Sequence, residues 1–559
     1  MPFQEREVGY EQIKSYLRKW NPSNSLFMKF PIGIQDFAKI RKDGYVYVDK
    51  TALIYRMVHE GSIYFLSRPR RFGKSLLIST LEYYFKGERD LFCGLAIAGM
   101  EKEWHVYPVF HIDFNGVKYE EPYALERLVD DYLSKWETAY GLPVRKGQDM
   151  GMRFSRILES VHEATGMRCV VLVDEYDKPL LDVMDLNLMM RDSNDNEIRL
   201  EDNNRNTLKA FYSVFKKADA HLQFVLLTGV TKFSQVSVFS GFNQPMDISL
   251  NDTYEDICGI TKEELVQYFS VQVSQMAEAY RVDADEMQGM LKAQYDGYHF
   301  SGSMTDVFNP FSLLNALAGK RIDSYWFSTG TPSYLVRLLH NSHENLNELA
   351  GKYYRPADFV DYKADSENPL AMIYQSGYLT IKGFNRRFNT FLLDLPNNEV
   401  KEGFVSLLAN SYLNLKRDSA VEAMEWVLML EQGEMDTFRK SLTAFFASIP
   451  YTMRRKDNER ECERYFQYTF YLLFRLMSTY AVLVEPQQSE GRADCIIETS
   501  GQVYIFEFKL DGSADEALAQ IESRGYARPY SNDKRRVYKV GASFSSKTGT
   551  IDDWKIVLA

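Results

Sequence analysis

The chain has 559 residues, of which 45% are apolar and 14% aromatic, so it can bury large cores and global disorder is excluded. A formal net charge of −11 argues against a surface coated throughout for nucleic acid, although one basic groove is compatible with it. The five cysteines are scattered without a C-x-x-C pair. That usage is typical of a reducing compartment and indicates neither a zinc site nor a disulfide framework.

The N-terminal stretch MPFQEREVGYEQIKSYL is polar and acidic, unlike a signal peptide, and no apolar run reaches membrane-spanning length. We therefore expect a cytoplasmic protein that makes no membrane contact. Residues 1–29 predict a helical extension, because EQIKSYLRKW has amphipathic spacing and precedes the turn-rich NPSNS. Next, GYVYV predicts a short strand, and the stretch from Lys50 to His59 predicts a helix.

The stretch from Ile63 to Ser75, IYFLSRPRRFGKS, predicts a strand, a basic loop and then Gly-Lys-Ser at the start of a helix. A phosphate-binding loop requires this order, because N–H groups at a helix N-terminus favour an anion. Lys74 would reach the β- and γ-phosphates of a nucleotide, and the Ser75 hydroxyl would bind Mg²⁺. Arg68 stands where the usual motif has glycine, so a chance Gly-Lys-Ser that begins an ordinary helix is the alternative.

This segment, called here the phosphate loop, supplies most of the expected nucleotide contacts. The residues expected to bind the nucleotide here are Arg70, Arg71, Phe72, Gly73, Lys74, Ser75 and Leu76. We interpret the extra loop arginines as contacts to phosphate or to a partner, and Arg70 and Arg71 are also candidates for an arginine finger. Ahead of the loop, Ile34 and Phe37 are candidates to pack on the nucleotide base, with a plain cover over the core as the alternative.

Two acids follow the stretch CVVLV, which is apolar throughout and therefore predicts a strand buried on both faces of a parallel sheet. Asp174 and Glu175 then lie at the carboxyl end of this strand, where open α/β sheets place their ligands. Asp174 would hold Mg²⁺ through water, and Glu175 would orient and polarise the attacking water. A pair of acids that only begins a helix is the alternative. Asp177 either assists them or is a solvated cap.

The next apolar strand, LQFVLLTG, ends at Thr228, which is our candidate for a polar residue beside the γ-phosphate. Lys232, four residues on, either neutralises phosphate charge or faces solvent. Between the two strands, the stretch from Asp182 to Asn206 is polar and acidic and predicts a mobile loop or an insertion.

After these strands the predicted secondary structure becomes mainly helical. Residues 251–330 predict a helical lid, in which Thr261 and Glu264 form a capping-box pattern. Residues 331–450 contain predicted helices and a strand-like QSGYLTIKGF, and they suggest an α+β or winged-helix-like region without evident chemistry.

A second chemical centre is predicted in the last hundred residues, where ADCIIET and VYIFEFKL form a hairpin. Glu507 and Lys509 are two residues apart on one strand, so both side chains project from the same face. Asp494 comes from the neighbouring strand. Asp494 and Glu507 would bind Mg²⁺, and Lys509 would orient the attacking water or neutralise the scissile phosphate. These are the groups that metal-assisted phosphodiester cleavage needs.

Helices on either side of this hairpin extend the prediction. Glu463 on the preceding helix is placed to complete the metal shell, and Gln467 lies one turn further on the same face. The amphipathic helix after the hairpin begins at the capping Ser513, and Gln520 and Tyr526 are its notable polar residues. We include Gln520 among the catalytic candidates. A surface hairpin with a cross-face ion pair is the alternative.

A resemblance to the AAA-ATPase-like family, found in many bacterial genomes, is carried by PIGIQDFAKIRKDGYVYVDKT, YFLSRPRRFGKSLLISTLEYYF, VVLVDEYDKPL, TGVTKFS, YDGYHF and NPFSLLNAL. The tail resembles the PD-(D/E)XK nuclease domain fused to it, through ERYFQYTFYLLF, EGRADCII, YIFEFKL and ALAQIESRGYA. The family itself uses the SRPRRFGKS loop, so Arg68 is a family trait. The resemblance implies a P-loop ATPase with a C-terminal nuclease-like module, and it implies neither a substrate nor a pathway.

The expected fold class is α/β, with a doubly wound, mainly parallel sheet in the first domain. The expected segments are an N-terminal extension (1–29), a P-loop AAA-like ATPase domain (30–250), a helical lid (251–330), a middle α+β or winged-helix-like region (331–450) and an α/β PD-(D/E)XK nuclease-like domain (451–559).

Our first functional hypothesis is an ATPase joined to a Mg²⁺-dependent nuclease that acts on DNA, in which the nucleotide controls cleavage. RNA as the substrate and assembly with a second copy of the chain are left open. The alternative from another class is an ATP-driven signalling or defence switch whose tail binds nucleic acid without cutting. A third reading is a domain that binds a nucleotide as a structural latch and barely hydrolyses it.

Overall fold

The computed structural model describes residues 28–184, 186–192, 195–232, 245–329, 349–360, 369–404, 419–448, 473, 477 and 495–559. They form two compact units, and the boundary between the units falls between Glu399 and Val400. No helix within these ranges is both long and apolar enough to cross a membrane.

Strands of the first unit build a central sheet and smaller antiparallel sheets. In chain order they are Ile63–Ser67 (β1), Val109–Asp113 (β2), Cys169–Asp174 (β3), Met189–Arg191 (β4), Glu197–Arg199 (β5), Leu222–Gly229 (β6), Met246–Asp247 (β7), Ile260–Thr261 (β8), Val307–Phe308 (β9), Lys352–Tyr354 (β10), Thr380–Asn385 (β11) and Thr390–Asp394 (β12). The central sheet has the order β2-β3-β6-β1-β7, and every neighbouring pair in it is parallel. The antiparallel sheets are β10-β12-β11, β4-β5 and β8-β9.

Helices connect these strands and cover the sheet. In chain order the helices of the first unit are Phe37–Lys42 (α1), Thr51–Glu60 (α2), Lys74–Phe85 (α3), Ile97–Met100 (α4), Ala124–Ala139 (α5), Met150–Thr165 (α6), Lys178–Leu181 (α7), Leu200–Tyr212 (α8), Val214–Lys217 (α9), Lys262–Tyr280 (α10), Ala284–Tyr295 (α11), Pro310–Gly319 (α12), Tyr325–Ser328 (α13), Pro356–Phe359 (α14) and Leu370–Gln375 (α15).

Strand β3 of the central sheet is buried at all six of its residues, as a strand covered on both faces must be. The predicted parallel sheet is therefore confirmed. Because the strands run in the same direction, their carboxyl ends lie along one edge of the sheet. There the register aligns Leu66 with Thr228 and Asp113 with Asp174. This edge carries the phosphate loop and both predicted acids.

The structure differs from one local prediction and adds detail to another. GYVYV forms no strand beyond an isolated bridge between Lys29 and Tyr45, and the buried side chains of Val46 and Tyr47 pack into the core instead. The polar stretch from Asp182 to Asn206, predicted as a mobile loop or an insertion, contains the hairpin β4-β5 and the start of α8. Two acids in the first turn of α8 favour the helix despite the polar composition.

Helices α10 to α13 follow the central sheet in the chain. The capping box at the start of α10 is confirmed: Thr261 Oγ1 accepts the Glu264 N–H at 3.3 Å, and Glu264 Oε2 accepts the Thr261 N–H at 2.8 Å. This reciprocal pair satisfies two N–H groups that lack helical partners.

A buried acid lies where α11 ends. The Asp296 side chain is 0% exposed, and burial raises its pKa to about 7. The nearby Lys382 ammonium donates to the carbonyl oxygens of Gly297 and Pro396, each at 2.7 Å. Lys292 and His299 bind Asp306, whose negative charge further raises the pKa of Asp296.

This burial predicts a pH-dependent stability. Between about pH 4 and pH 7 the folded chain keeps a proton on Asp296 that the unfolded chain releases, so the free energy of unfolding falls as pH rises through this interval. Asp296→Asn should remove that slope, and its stability relative to wild type should increase by about 2–3 kcal/mol between pH 5 and pH 8. Urea unfolding of the first unit at both pH values measures the difference. The exposed control Asp323→Asn should show no such change, and equal slopes for wild type and Asp296→Asn would contradict the prediction.

The described residues of the second unit form a four-stranded mixed sheet and helices. Its strands are Cys495–Glu498 (β13), Gln502–Leu510 (β14), Arg536–Phe544 (β15) and Ile551–Leu558 (β16), and its helices are Ser419–Gln432 (α16), Met435–Ser448 (α17) and Ala514–Arg524 (α18). The order is β13-β14-β15-β16, with β14 and β15 parallel and the two outer pairs antiparallel. The helix α18 is the crossover between the parallel strands, and Ser513 caps it in a capping box, as expected.

Candidate functional site

The phosphate loop turns sharply into α3. Gly73 caps this helix with φ +98°, in the left-handed region that glycine adopts most readily, and Arg71 also has a positive φ of +68°. Lys74 is the first helical residue and is only 4% exposed. Its Nζ donates to the carbonyl oxygens of Arg68 and Pro69 at 3.0 and 3.2 Å, so the loop is curved around the ammonium group.

A cleft of about 510 Å³ opens in front of this loop. Among its lining residues are Lys74, Ser75 and Glu175, which we predicted from separate segments of the sequence. Arg70 and Arg71 also line it. The cleft therefore combines a buried ammonium group, a hydroxyl, a carboxyl and two guanidinium groups at the carboxyl edge of a parallel sheet. This charge pattern suits a polyanionic ligand.

Asp174 and Thr228 lie at this edge on neighbouring strands. Both are buried, with 2% and 0% exposure, and Thr228 Oγ1 donates to Asp174 Oδ1 at 2.6 Å. We predicted Thr228 beside a γ-phosphate, and in the structure its hydroxyl contacts the predicted metal ligand. The hydrogen bond fixes the orientation of the Asp174 carboxylate.

Glu175 directly follows β3 at this edge of the sheet and has a strained backbone conformation. Its φ of +51° is in the left-handed region, which non-glycine residues rarely adopt. Burial raises the pKa of the Glu175 carboxyl, and the positive charges of Lys74 and Arg70 oppose this shift. Strain and a perturbed pKa together are features of functional carboxylates.

Two residues of the phosphate loop have structural roles that we did not predict. Arg68 is 1% exposed, and its guanidinium group lies 4.1 Å from the centre of the Phe300 ring. The group donates to carbonyl oxygens of Ser249 at 2.8 Å and Tyr254 at 3.1 Å, so the interpretation of this arginine as a phosphate or partner contact was wrong.

Phe72 was expected to bind the nucleotide; it is 1% exposed, and it lines the apolar recess beside the cleft but not the cleft itself. It packs edge-on against Tyr298 and Phe300, with ring centres 4.8 and 5.4 Å away. Its side chain thus packs in the core beside that recess, and the predicted contact of Phe72 with the nucleotide stays a prediction.

The remaining candidates near the loop differ in whether they line the cleft. Ile34 lines the cleft, whereas Phe37 is fully buried and packs on Tyr47. Lys232 neither lines the cleft nor faces solvent: its ammonium group pairs with Asp247 at 2.9 Å.

The prediction missed two polar residues, one at the end of β2 and one just after it. Asp113 and Asn115 line the cleft, and Asp113 Oδ1 accepts both the N–H and the amide Nδ2–H of Asn115 at 2.9 Å. The signal was present, because Asp113 ends an apolar strand as Asp174 does. Lys178 was also missed, and it too lines the cleft.

In the second unit, three predicted residues form one cluster. Glu507 is 2% exposed on β14, and Lys509 follows it on the same face with its Nζ 3.7 Å from Glu507 Oε1. Gln520 of α18 joins them: its Nε2 donates to Glu507 Oε1, and its Oε1 accepts from Lys509 Nζ at 2.5 Å. The structure thus brings together a buried carboxylate, an ammonium group and an amide.

Other predicted members of this cluster lie outside the described residues. These are Asp494, Glu463 and Gln467. The described ladder of the hairpin begins at Cys495 opposite Phe506. Within the described ranges, no three His, Cys, Asp or Glu side chains converge in the manner of a ready-made metal site.

Tyr526 and Arg535 of this unit have contacts that stabilise the fold. Tyr526 comes after α18 has ended at Arg524, and it is 2% exposed in the hydrophobic core of the unit. Arg535 donates to Glu498 at 2.7 Å and to Asp533 at 2.6 Å, so its charge is balanced by neighbouring acids.

Comparison with known proteins agrees with this geometry. A family model for predicted AAA-ATPases matches residues 31–239, and a model for the PD-(D/E)XK nuclease superfamily matches residues 461–554. A curated relative, described as an uncharacterized protein in the vnfD 5'region of Azotobacter chroococcum mcd 1, is 35% identical over 529 residues. The match covers 94% of this chain and 98% of the relative.

Two solved structures are similar at low identity. Cdc6p from Pyrobaculum aerophilum is 12% identical, with 62% of this chain and 88% of that chain covered and a TM-score of 0.21. The Aeropyrum pernix ORC2 protein, in ADPNP-ADP complexes, is 11% identical, with 62% and 87% covered and a TM-score of 0.16. TM-scores this low carry no argument. The two family models and the full-length relative show that the chain belongs to the family of predicted AAA-ATPase-like proteins with a PD-(D/E)XK nuclease superfamily domain near the C-terminus.

Proposed function

We propose that the first unit binds and hydrolyses ATP. The observation that carries this proposal is the convergence of Lys74, Ser75 and Glu175 on one cleft, next to the hydrogen-bonded pair of Asp174 and Thr228. The main-chain N–H groups that begin α3 and the Lys74 ammonium would hold the phosphates. Glu175 would orient the water that attacks the γ-phosphate and take its proton.

The nucleoside would extend into an apolar recess that adjoins the cleft. The recess has a volume of about 100 Å³ and shares Gly73 and Leu76 with the cleft. Leu77, Ile260 and Phe269 are among its apolar walls. We assign this recess to the base, because flat aromatic ligands are held mainly by apolar surfaces.

The residues present suit Mg²⁺. Ser75 and Asp174 both offer oxygen atoms, which this hard cation prefers, and the phosphate oxygens of the nucleotide would complete its coordination. When bound, Mg²⁺ would neutralise charge on the β- and γ-phosphates. Thr228 would keep the Asp174 carboxylate in the orientation that the hydrogen bond defines.

We propose further that the second unit cleaves DNA in a metal-dependent reaction. Support comes from the cluster of Glu507, Lys509 and Gln520, together with the superfamily match. Glu507, with Asp494 as the second predicted carboxylate, would bind Mg²⁺. Lys509 would stabilise negative charge on the scissile phosphate while a water oxygen bonds to phosphorus and the bond to the leaving oxygen breaks. Gln520 would hold the Glu507 and Lys509 side chains in their relative positions through its two hydrogen bonds.

The two activities are proposed to be linked, so that the nucleotide controls cleavage. The test is metal-dependent cleavage of a panel of single-stranded, double-stranded and branched DNA and of RNA, with ATP, with ADP and without nucleotide. We expect ATP to change the cleavage rate of wild type at least tenfold and to leave Lys74→Ala unaffected, because that variant lacks the ammonium group for the phosphates. The exposed Lys135→Ala, on α5, is the matched control and should behave like wild type.

Each outcome of this test is informative. Cleavage that is identical with and without ATP would contradict the coupling and leave two independent activities. DNA binding without cleavage under every nucleotide condition would contradict the nuclease proposal and favour a nucleotide-driven signalling or defence switch.

A further inference from the structure

A buried acid three residues beyond Asp174 is not explained by the proposed chemistry. Asp177 is 1% exposed, and it does not line the cleft. One of its oxygens, Oδ2, accepts three hydrogen bonds: from the Val230 N–H at 3.0 Å, from the Thr231 N–H at 2.6 Å and from Thr231 Oγ1 at 2.7 Å. Three donors on one carboxylate oxygen make a strong anchor, because charge-assisted hydrogen bonds are stronger than neutral ones.

The chain that Asp177 anchors comprises the last two residues of β6 and the two residues after it, and we call residues 228–231 the bridging segment. Tyr176 binds both of its ends: its N–H donates to the Thr228 carbonyl and its hydroxyl to the Thr231 carbonyl, each at 3.0 Å. On the other side, Ser67 Oγ at the end of β1 donates to the Val230 carbonyl at 2.6 Å. The bridging segment is therefore fixed between the strand of the phosphate loop and the strand of the acids.

The approach of Asp177 to this segment requires a glycine. A Cβ atom at Gly229 would lie 2.6 Å from Asp177 Oδ1 and 2.7 Å from the Tyr176 ring, which is closer than real Cβ contacts. The glycine lets the carboxylate reach the main chain just beyond Thr228. The anchor and the hydroxyl that contacts Asp174 are thus parts of one rigid connection.

We propose that Asp177 is a positioning residue that sets the orientation of Thr228, and through it of Asp174, so that the site distinguishes ATP from ADP. This inference rests on the proposed function. ATP differs from ADP by the terminal phosphate, and a Mg²⁺ held by Ser75 and Asp174 would neutralise charge at that end of the nucleotide. The groups that Asp177 orients act at that end of the nucleotide, whereas the base and the first phosphates are held elsewhere.

The experiment measures ATP and ADP affinities in full-length protein that carries Glu175→Gln, so that no turnover interferes. Asp177→Ala should reduce the ratio of ATP to ADP affinity at least tenfold and change ADP affinity less than twofold. Asp177→Asn keeps an oxygen at the acceptor position and should retain most of the ratio. With Glu175 intact, Asp177→Ala should lower kcat 10- to 100-fold, the range seen when a group that orients a metal ligand is lost.

A second pair of variants tests the same inference if Asp177→Ala does not fold. Thr231→Val removes one of the three donors and keeps both N–H contacts, and Thr231→Ser restores the hydroxyl; the first should reduce the affinity ratio and the second should not. Glu121→Gln removes a solvent-exposed acid and serves as the control for charge.

A purely structural Asp177 would lower the melting temperature and both affinities in parallel, with the ratio unchanged, and that result overturns the inference. A parent protein that binds no ATP overturns the proposed function itself, and this inference with it. The two failures are therefore distinguishable.

Discussion

Glu175→Gln should reduce ATP hydrolysis at least 100-fold while ATP binding is retained. Glutamine has nearly the same shape as glutamate but cannot accept the proton of the attacking water, and general-base catalysis contributes roughly 10²–10⁴-fold. The side chain lines the cleft beside Lys74, so the loss concerns the reacting end of the nucleotide. Phosphate release at saturating Mg²⁺-ATP gives kcat, and equilibrium titration with ATP gives the affinity.

A solvent-exposed acid provides the control for this substitution. Glu121 has a side chain that is 64% exposed, and Glu121→Gln should leave kcat unchanged. Equal hydrolysis by wild type, Glu175→Gln and Lys74→Ala would show that the activity belongs to another site. Loss of ATP binding together with hydrolysis would assign Glu175 to binding and contradict its role as the base.

Lys509→Ala should reduce DNA cleavage at least 100-fold and leave the fold intact. Removal of a group that stabilises transition-state charge lowers the reaction rate roughly 10²–10³-fold. Lys509 is 28% exposed, so its removal leaves no large cavity, and we expect a stability change of at most about 1 kcal/mol. Cleavage is measured with Mg²⁺ on the substrate that wild type cuts best, and thermal unfolding checks the fold.

The matched control is a lysine in a similar setting that lies on the next strand. Lys539 on β15 pairs with Glu522 of α18, as Lys509 on β14 pairs with Gln520 of the same helix. Lys539→Ala should cleave like wild type. Equal activity of Lys509→Ala and wild type would refute the assignment, and equal losses in both variants would indicate that the strand lysines act on folding or on DNA binding.

Features with short-range or periodic causes could be predicted from the sequence. An apolar β3 predicts a strand buried on both faces, and the acids at its end then lie at the ligand-binding edge. The alternation of β14 places Glu507 and Lys509 on one face. The capping pattern of α18 locates the helix that carries Gln520.

Features that depend on distant partners could not be predicted. The acceptors of Arg68 lie about 180 residues away in the chain, and the donors to Asp177 lie 53 and 54 residues away. No local pattern announces such pairs, because they form only once the sheet has brought the segments together. The hairpin β4-β5 was missed for a different reason: its polar composition is typical of loops, while its stability comes from strand pairing.

Arg68 limits how this protein can change over evolutionary time. Its guanidinium group fills space under the Phe300 ring and satisfies carbonyl oxygens near residues 249 and 254. A glycine at this position would remove the guanidinium donors from both carbonyl oxygens and the support from the ring, although the Tyr254 carbonyl also accepts the Ile257 N–H at 3.3 Å. The phosphate loop, the segment after β7 and the YDGYHF segment therefore form one set that can change only together, and a drift toward a glycine-rich loop would require coordinated replacements in all three.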